Sequence, residues 1–149
     1  KHMNTYQACL QSHANCVACS DGVQNPHSLQ LKFTPSADNK VTAYYRVDEK
    51  HQGYTNLLHG GIASTLLDAA MTHCLLSQGI EALTAELNIR FHAPIKIGDS
   101  VQIIGRLLSQ RRGIYLLEAS LSVAKQICVK ATGKFIQPKE GVIHRELSV

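Results

Sequence analysis

Residues 60–78 constrain this chain more than any other stretch. The run Gly-Gly-Ile-Ala-Ser-Thr-Leu-Leu-Asp-Ala-Ala-Met-Thr-His-Cys-Leu-Leu-Ser-Gln contains no proline and reads as one long helix, with Gly79 placed to stop it. Its composition is apolar on nearly every side, so the helix is expected to be buried and not amphipathic. From His51 to Ile80, Asp68 is the only residue with a full formal charge. Burying a lone carboxylate is costly unless it is paired or functional. Asp68 is therefore poised as a base or nucleophile, or else it caps a loop or pairs with a neighbouring His or Arg. The residues alone leave both readings open.

The flanking sequence follows a different period. Residues 4–15 could make a short N-terminal helix, and Asp21-Gly22 and Asn25-Pro26 mark a loop from Cys16 to His27. Leu29, Leu31 and Phe33 alternate with polar partners, which predicts a first strand ending near Pro35; Val41 to Val47 predicts a second. A loop runs from Asp48 to Leu58. After the helix, Ala85, Leu87, Ile89 and Phe91 alternate with Thr84, Glu86, Asn88, Arg90 and His92, and Pro94 ends that strand. Strands are expected over residues 100–109, 114–124 and 126–136. The predicted order is two strands, one buried helix, then a four-strand antiparallel meander. A single curved sheet covers much of such a helix, and the remaining surface and sheet edges call for a partner chain, most simply in a homodimer.

The chain's 149 residues suit one domain. Hydrophobic residues at 44% against 17% charged exclude disorder, and no apolar run reaches the length of a membrane span. Lys1-His2-Met3 reads as an expression-vector remnant, leaving residues 4–149 as the domain, expected to be cytoplasmic. The net charge of +4 is scattered, and without Trp there is little platform for nucleic acid. Five cysteines are an odd number and do not suggest a disulfide framework. Cys16-Val17-Ala18-Cys19 has CxxC spacing, and His13 and His27 lie nearby. No second Cys or His pair follows at zinc-finger distance, so the pair is read as structural and no metal is expected.

Gly60-Gly61 at the helix start leaves unpaired backbone N–H groups open to a ligand carbonyl, aided by the helix dipole. This is the chemistry of an oxyanion site, although a tight turn into the helix also accounts for the glycines. Gly60 lies about 12 Å from Asp68 along one helix, at about 1.5 Å per residue. One helix therefore cannot bring both groups to one carbonyl, whereas two antiparallel helices across a dimer could.

The run His59-Gly60-Gly61 through Asp68-Ala69-Ala70 closely resembles the signature of PaaI-type hotdog thioesterases, in the 4-hydroxybenzoyl-CoA thioesterase superfamily. His51-Gln52-Gly53-Tyr54 resembles the lead-in loop, and Leu87-Asn88-Ile89-Arg90-Phe91 with Pro94 and Gly98-Asp99 resembles the strand after the helix. Cys16-Val17-Ala18-Cys19 with Asn25-Pro26 is similar to the opening of some members, so the resemblance spans residues 16–137. It implies an α+β hotdog fold: one long helix wrapped by a curved antiparallel sheet of about six strands, with a short N-terminal helix. It also implies hydrolysis of acyl-CoA thioesters, with coenzyme A as part of the substrate and no separate cofactor, by a homodimer or a homotetramer built from dimers. Gly60 would donate its N–H to the thioester carbonyl and Asp68 would activate water or attack directly. Thr84 would help place the water, and His59 would orient the loop or the carbonyl end. Some relatives use an Asn in the lead-in loop where this chain has Gly53; Gln52 or Asn56 is the available substitute, beside Gly61. Arg111, Arg112 and Gly113 in a hairpin turn, with Arg90 and Lys134, are candidates for the coenzyme A phosphates. The alternative is a non-catalytic acyl-CoA-binding or sensing module on the same fold. Dehydratase chemistry needs a different pairing of His and carboxylate.

Overall fold

The computed structural model describes residues 2–139, with side chains from Thr5 onward. Helix α1 spans His2–Leu10 and passes into a 3-10 turn, Gln11–His13. The short N-terminal helix is thus present but displaced toward the start of the chain; Lys1 and residues 140–149 lie outside the described residues. Strands β1 (Thr34–Ser36) and β2 (Lys40–Arg46) precede helix α2 (Gly60–Leu76). After it come β3 (Leu83–Phe91), β4 (Ser100–Arg111), β5 (Ile114–Val123) and β6 (Gln126–Ile136). Among the described residues no helix is long and apolar enough to cross a membrane.

The six strands form one sheet in the order β1-β2-β4-β5-β6-β3, every described pairing antiparallel. This corrects the expected meander, because only β4, β5 and β6 follow one another. Strand β3 lies beyond β6, at the far edge. The chain then returns across the end of the sheet: His92 and Ala93 donate to the Cys128 carbonyl, and Gly98 donates to Val47. The expected first strand also shrinks. Gln30 has φ +57, and the Leu29 and Leu31 amides donate to Val17 and Ala18 instead of to a ladder. Leu31 and Phe33 nevertheless reach the core.

Helix α2 lies across the inner face, where Leu66, Leu67, Met71 and Leu75 meet Val41, Ile103, Leu117 and Phe135. The approach is close. A Cβ at Gly105 would stand 2.6 Å from the Ala70 carbonyl oxygen, so the helix can seat this deeply only over a residue without a side chain. At the far end, Gly79 takes φ +79, the left-handed conformation that ends a helix. The helix is not apolar all round, however. Gly61, Ser64, Thr65, Asp68 and Thr72 remain outside the core and form a stripe of small and polar residues that the sheet does not cover.

Candidate active site

Asp68 sits midway along that stripe, half-buried. The Thr84 hydroxyl donates to Asp68 Oδ1 at 2.6 Å. Regular alternation along β3 would not allow this contact. Leu87, Ile89 and Phe91 pair with Gly133, Ala131 and Val129, on the face toward α2, so strict alternation points Thr84 the other way. A bulge between Thr84 and Glu86 inserts Ala85 as an extra residue and sets Thr84 opposite the buried Phe135. The bulge re-aims one hydroxyl toward the carboxylate, as bulges beside active sites commonly do. Asp68 and Thr84 line a cavity of about 480 Å³ with Ser64, Thr65, Leu87 and the N-terminal segment.

The other half of the constellation lies at the start of α2. His59 is the N-cap, and the Gly61 N–H donates to its Nδ1 at 2.8 Å. That bond occupies one orphan amide and fixes the imidazole. Among the described residues no group accepts from the Gly60 N–H, which leaves a donor at the positive end of the helix. Gly60 lines a second cavity, about 300 Å³, with Leu58, Ala63, Phe91 and Pro94. A single chain thus holds Asp68 and Gly60 in separate hollows.

The lead-in loop has its own internal logic. Gly53 packs against His59, whose Cα and Cδ2 would stand 3.2 Å from an added Cβ, so no Asn fits there without displacing the cap. Gln52 Oε1 accepts from the Asn56 amide at 3.0 Å, and Asn56 takes φ +71 in the turn. Both residues shape the loop, and neither lines either cavity. Tyr45 hydrogen-bonds to His51 and ties the loop to β2.

The basic candidates are dispersed. Arg112 and Gly113, both with positive φ, form the two-residue turn between Arg111 and Ile114. Through Ile114, Ile136 and Leu83, that turn lies at the same end of the sheet as Thr84. Arg90 pairs with Lys130 and Glu86 with Lys134, on the outer face away from α2. A feature set aside in the sequence does join the site: His13, Cys16, Val17 and Ala18 wall the Asp68 cavity. The Cys16 thiol is held well below the usual thiol range, chiefly by its hydrogen bond with Cys19, while Cys19 is pushed up by the same bond and by burial. Burial likewise pushes His73, beside them, down to about 4, so that imidazole is neutral at neutral pH. The signal for this wall was the even spacing of residues 13, 16 and 19.

The family pattern described as Thioesterase superfamily matches residues 55–125, the segment that carries His59, Gly60, Asp68 and Thr84. Mouse acyl-coenzyme A thioesterase 13 is 32% identical over 109 residues, covering 72% of this chain and 74% of that protein. The chain belongs to the thioesterase superfamily. Among solved structures, the Escherichia coli PaaI protein superposes with a TM-score of 0.69 at 17% identity, covering 91% of this chain and 92% of its own. A Streptococcus mutans protein solved bound to acetyl CoA superposes with a TM-score of 0.68 at 25% identity, covering 72% and 88%. This member of the thioesterase superfamily therefore has the PaaI-type hotdog fold, and its bulge, helix cap and carboxylate lie within that frame.

Proposed function

We propose that the chain hydrolyses acyl-coenzyme A thioesters to free acid and coenzyme A at a site shared by two subunits. The observation that carries this reading is the carboxylate of Asp68, held by Thr84 in an open cavity on an otherwise uncharged helix. The Gly60 N–H of one subunit polarises the thioester carbonyl, where the helix dipole favours the negative charge that develops on oxygen. Asp68 of the partner subunit, one of its oxygens engaged by Thr84, takes a proton from water as that water attacks the carbonyl carbon, or attacks the carbon itself. Collapse of the tetrahedral adduct breaks the C–S bond, and the coenzyme A thiolate leaves and is protonated; on the direct route the mixed anhydride left on Asp68 is then cleaved by water, which releases the acid and restores the carboxylate.

Strand β3 supports the shared site. Thr84, beside Asp68, lies near its start, and Phe91, within 4 Å of a Cβ built on Gly60, lies at its end. Pairing β3 with a second β3 about a two-fold axis near Leu87 and Asn88 sets each subunit's Asp68 end beside the other's Gly60 end. Exposed Ile114, Leu116, Ile127 and Ile136 on the outer face suit a further pairing of dimers into a tetramer. The Arg111–Gly113 turn, at the Thr84 end, suits the coenzyme A phosphates. Five free cysteines accord with a reducing, cytoplasmic setting.

A panel of aromatic, medium-chain and long-chain acyl-CoAs, with released thiol as the readout, tests the activity. Asp68→Asn keeps shape and removes the base, and it is expected to lower turnover by at least ~10²-fold. Near-normal hydrolysis by that variant refutes the role of Asp68. Saturable binding without thiol release by the unmodified chain would establish a binding module instead.

A further inference from the structure

The wall of the Asp68 cavity carries a second chemical group that hydrolysis does not use. His13, Cys16 and Cys19 present one ligand atom each, all within 4.8 Å of one another. Their convergence follows from local backbone: Cys16 N–H donates to the His13 carbonyl and Ser20 N–H to that of Cys16, so consecutive turns bring every third side chain to one side. The 3.6 Å between Cys19 Sγ and His13 Nδ1 is informative. With metal–sulfur bonds of about 2.3 Å and metal–nitrogen bonds of about 2.0–2.1 Å, a tetrahedral centre sets its N···S edges at roughly 3.5–3.6 Å. The Ala18 N–H donates to Cys16 Sγ at 3.3 Å, the kind of bond that stabilises a thiolate.

A second observation comes from α2. His73 is 3% exposed; its Nδ1 is hydrogen-bonded to the Tyr6 hydroxyl at 2.8 Å, and its Nε2 has no partner among the described residues. Its ring centroid lies 5.7 Å from that of His13. Such a buried orphan nitrogen calls for a ligand or a bound water beside it.

We propose that His13, Cys16 and Cys19 bind one thiophilic divalent cation of the Zn²⁺ class, with a fourth position open to the cavity and filled by water. Two sulfurs and one imidazole are the donor set such ions prefer, and three protein ligands with one open position is a stable arrangement for them. A metal-bound water would supply the missing partner of His73. The ion pins the N-terminal segment against α2 and so fixes the wall that Val17 and Ala18 give to the cavity. The site stands apart from the hydrolytic reading, since binding is measured without substrate.

The test titrates Co²⁺ into the full chain, reduced and freed of metal by chelator. The expected result is one Co²⁺ per chain, with thiolate charge-transfer absorption and the intense visible bands of tetrahedral cobalt, displaced by Zn²⁺. Cys16→Ser, Cys19→Ser and His13→Ala should each weaken binding by more than about a hundredfold, the upper range for losing an outer-shell partner alone. Cys128→Ser, in the remote core, should leave it unchanged. Alkylation of the unmodified chain provides a readout independent of variant folding: Zn²⁺ should protect two thiols, mapping to Cys16 and Cys19. Absence of tetrahedral bands, retained affinity in Cys16→Ser, or protection mapping to other cysteines overturns the proposal.

Discussion

The sheet's two edges are built on opposite plans. Strand β1 is three residues long, carries Pro35 at its centre and leaves all three residues exposed. A short edge with a proline offers little backbone for another chain to join. Strand β3 runs nine residues, pairs on one side with β6, and ends at Phe91, a large apolar side chain that is 56% exposed. One edge is closed by its own chemistry, and the other asks to be covered. The two halves of the proposed site flank this open edge, so under the proposed reading assembly and catalysis would use the same strand.

Four substitutions break or sharpen that contrast. The largest effect is expected from Gly60→Pro. Proline is well tolerated at the first helical position, and His59 before it already has φ −64 and ψ 135, which suits a following proline. The helix should therefore survive while the N–H is lost, and turnover should fall about 10²–10³-fold, the usual worth of one oxyanion donor. Thr84→Val comes next. It keeps the shape of the bulge and removes one hydrogen bond to a charged group, worth about 1.5–3 kcal/mol, so kcat should fall roughly ten- to a hundredfold without loss of assembly. Phe91→Ser is expected to weaken the dimer about tenfold or more in sedimentation, through loss of apolar surface that a partner covers. The matching change on the closed edge, Thr34→Lys, should shift stability by no more than about 0.5 kcal/mol in denaturant unfolding and leave the oligomer unchanged. Equal sensitivity of the two edges would erase the distinction.

Much of this was legible in the residues. The helix over 60–78 and the strands after it follow from period and punctuation, and the structure moves none of their ends by more than two residues. Thr84 was singled out as a hydroxyl that would place water, but its bond to Asp68 was not legible, because alternation put Thr84 on the wrong face and only the Ala85 bulge corrects it. Strand order was also hidden: period two makes a strand but does not name its neighbour, so β3 was expected beside β4. The stripe along α2 was missed because Ser64, Thr65 and Thr72 are small, and helical residues of that size suit a packed interface as well as a cavity wall. The convergence of His13 with the cysteine pair required the turns between them, which composition does not specify.

Subunit mixing puts the shared site to the most direct trial. Asp68→Asn and Gly60→Pro proteins, each inactive, are unfolded together in equal amounts and refolded so that chains reassort. A mixed dimer then has one site with both defects and one with neither. With half of the dimers mixed, the account predicts recovery of about a quarter of the unmodified activity. A mixture that reassorts yet stays as inactive as its parents would contradict a site built from two chains.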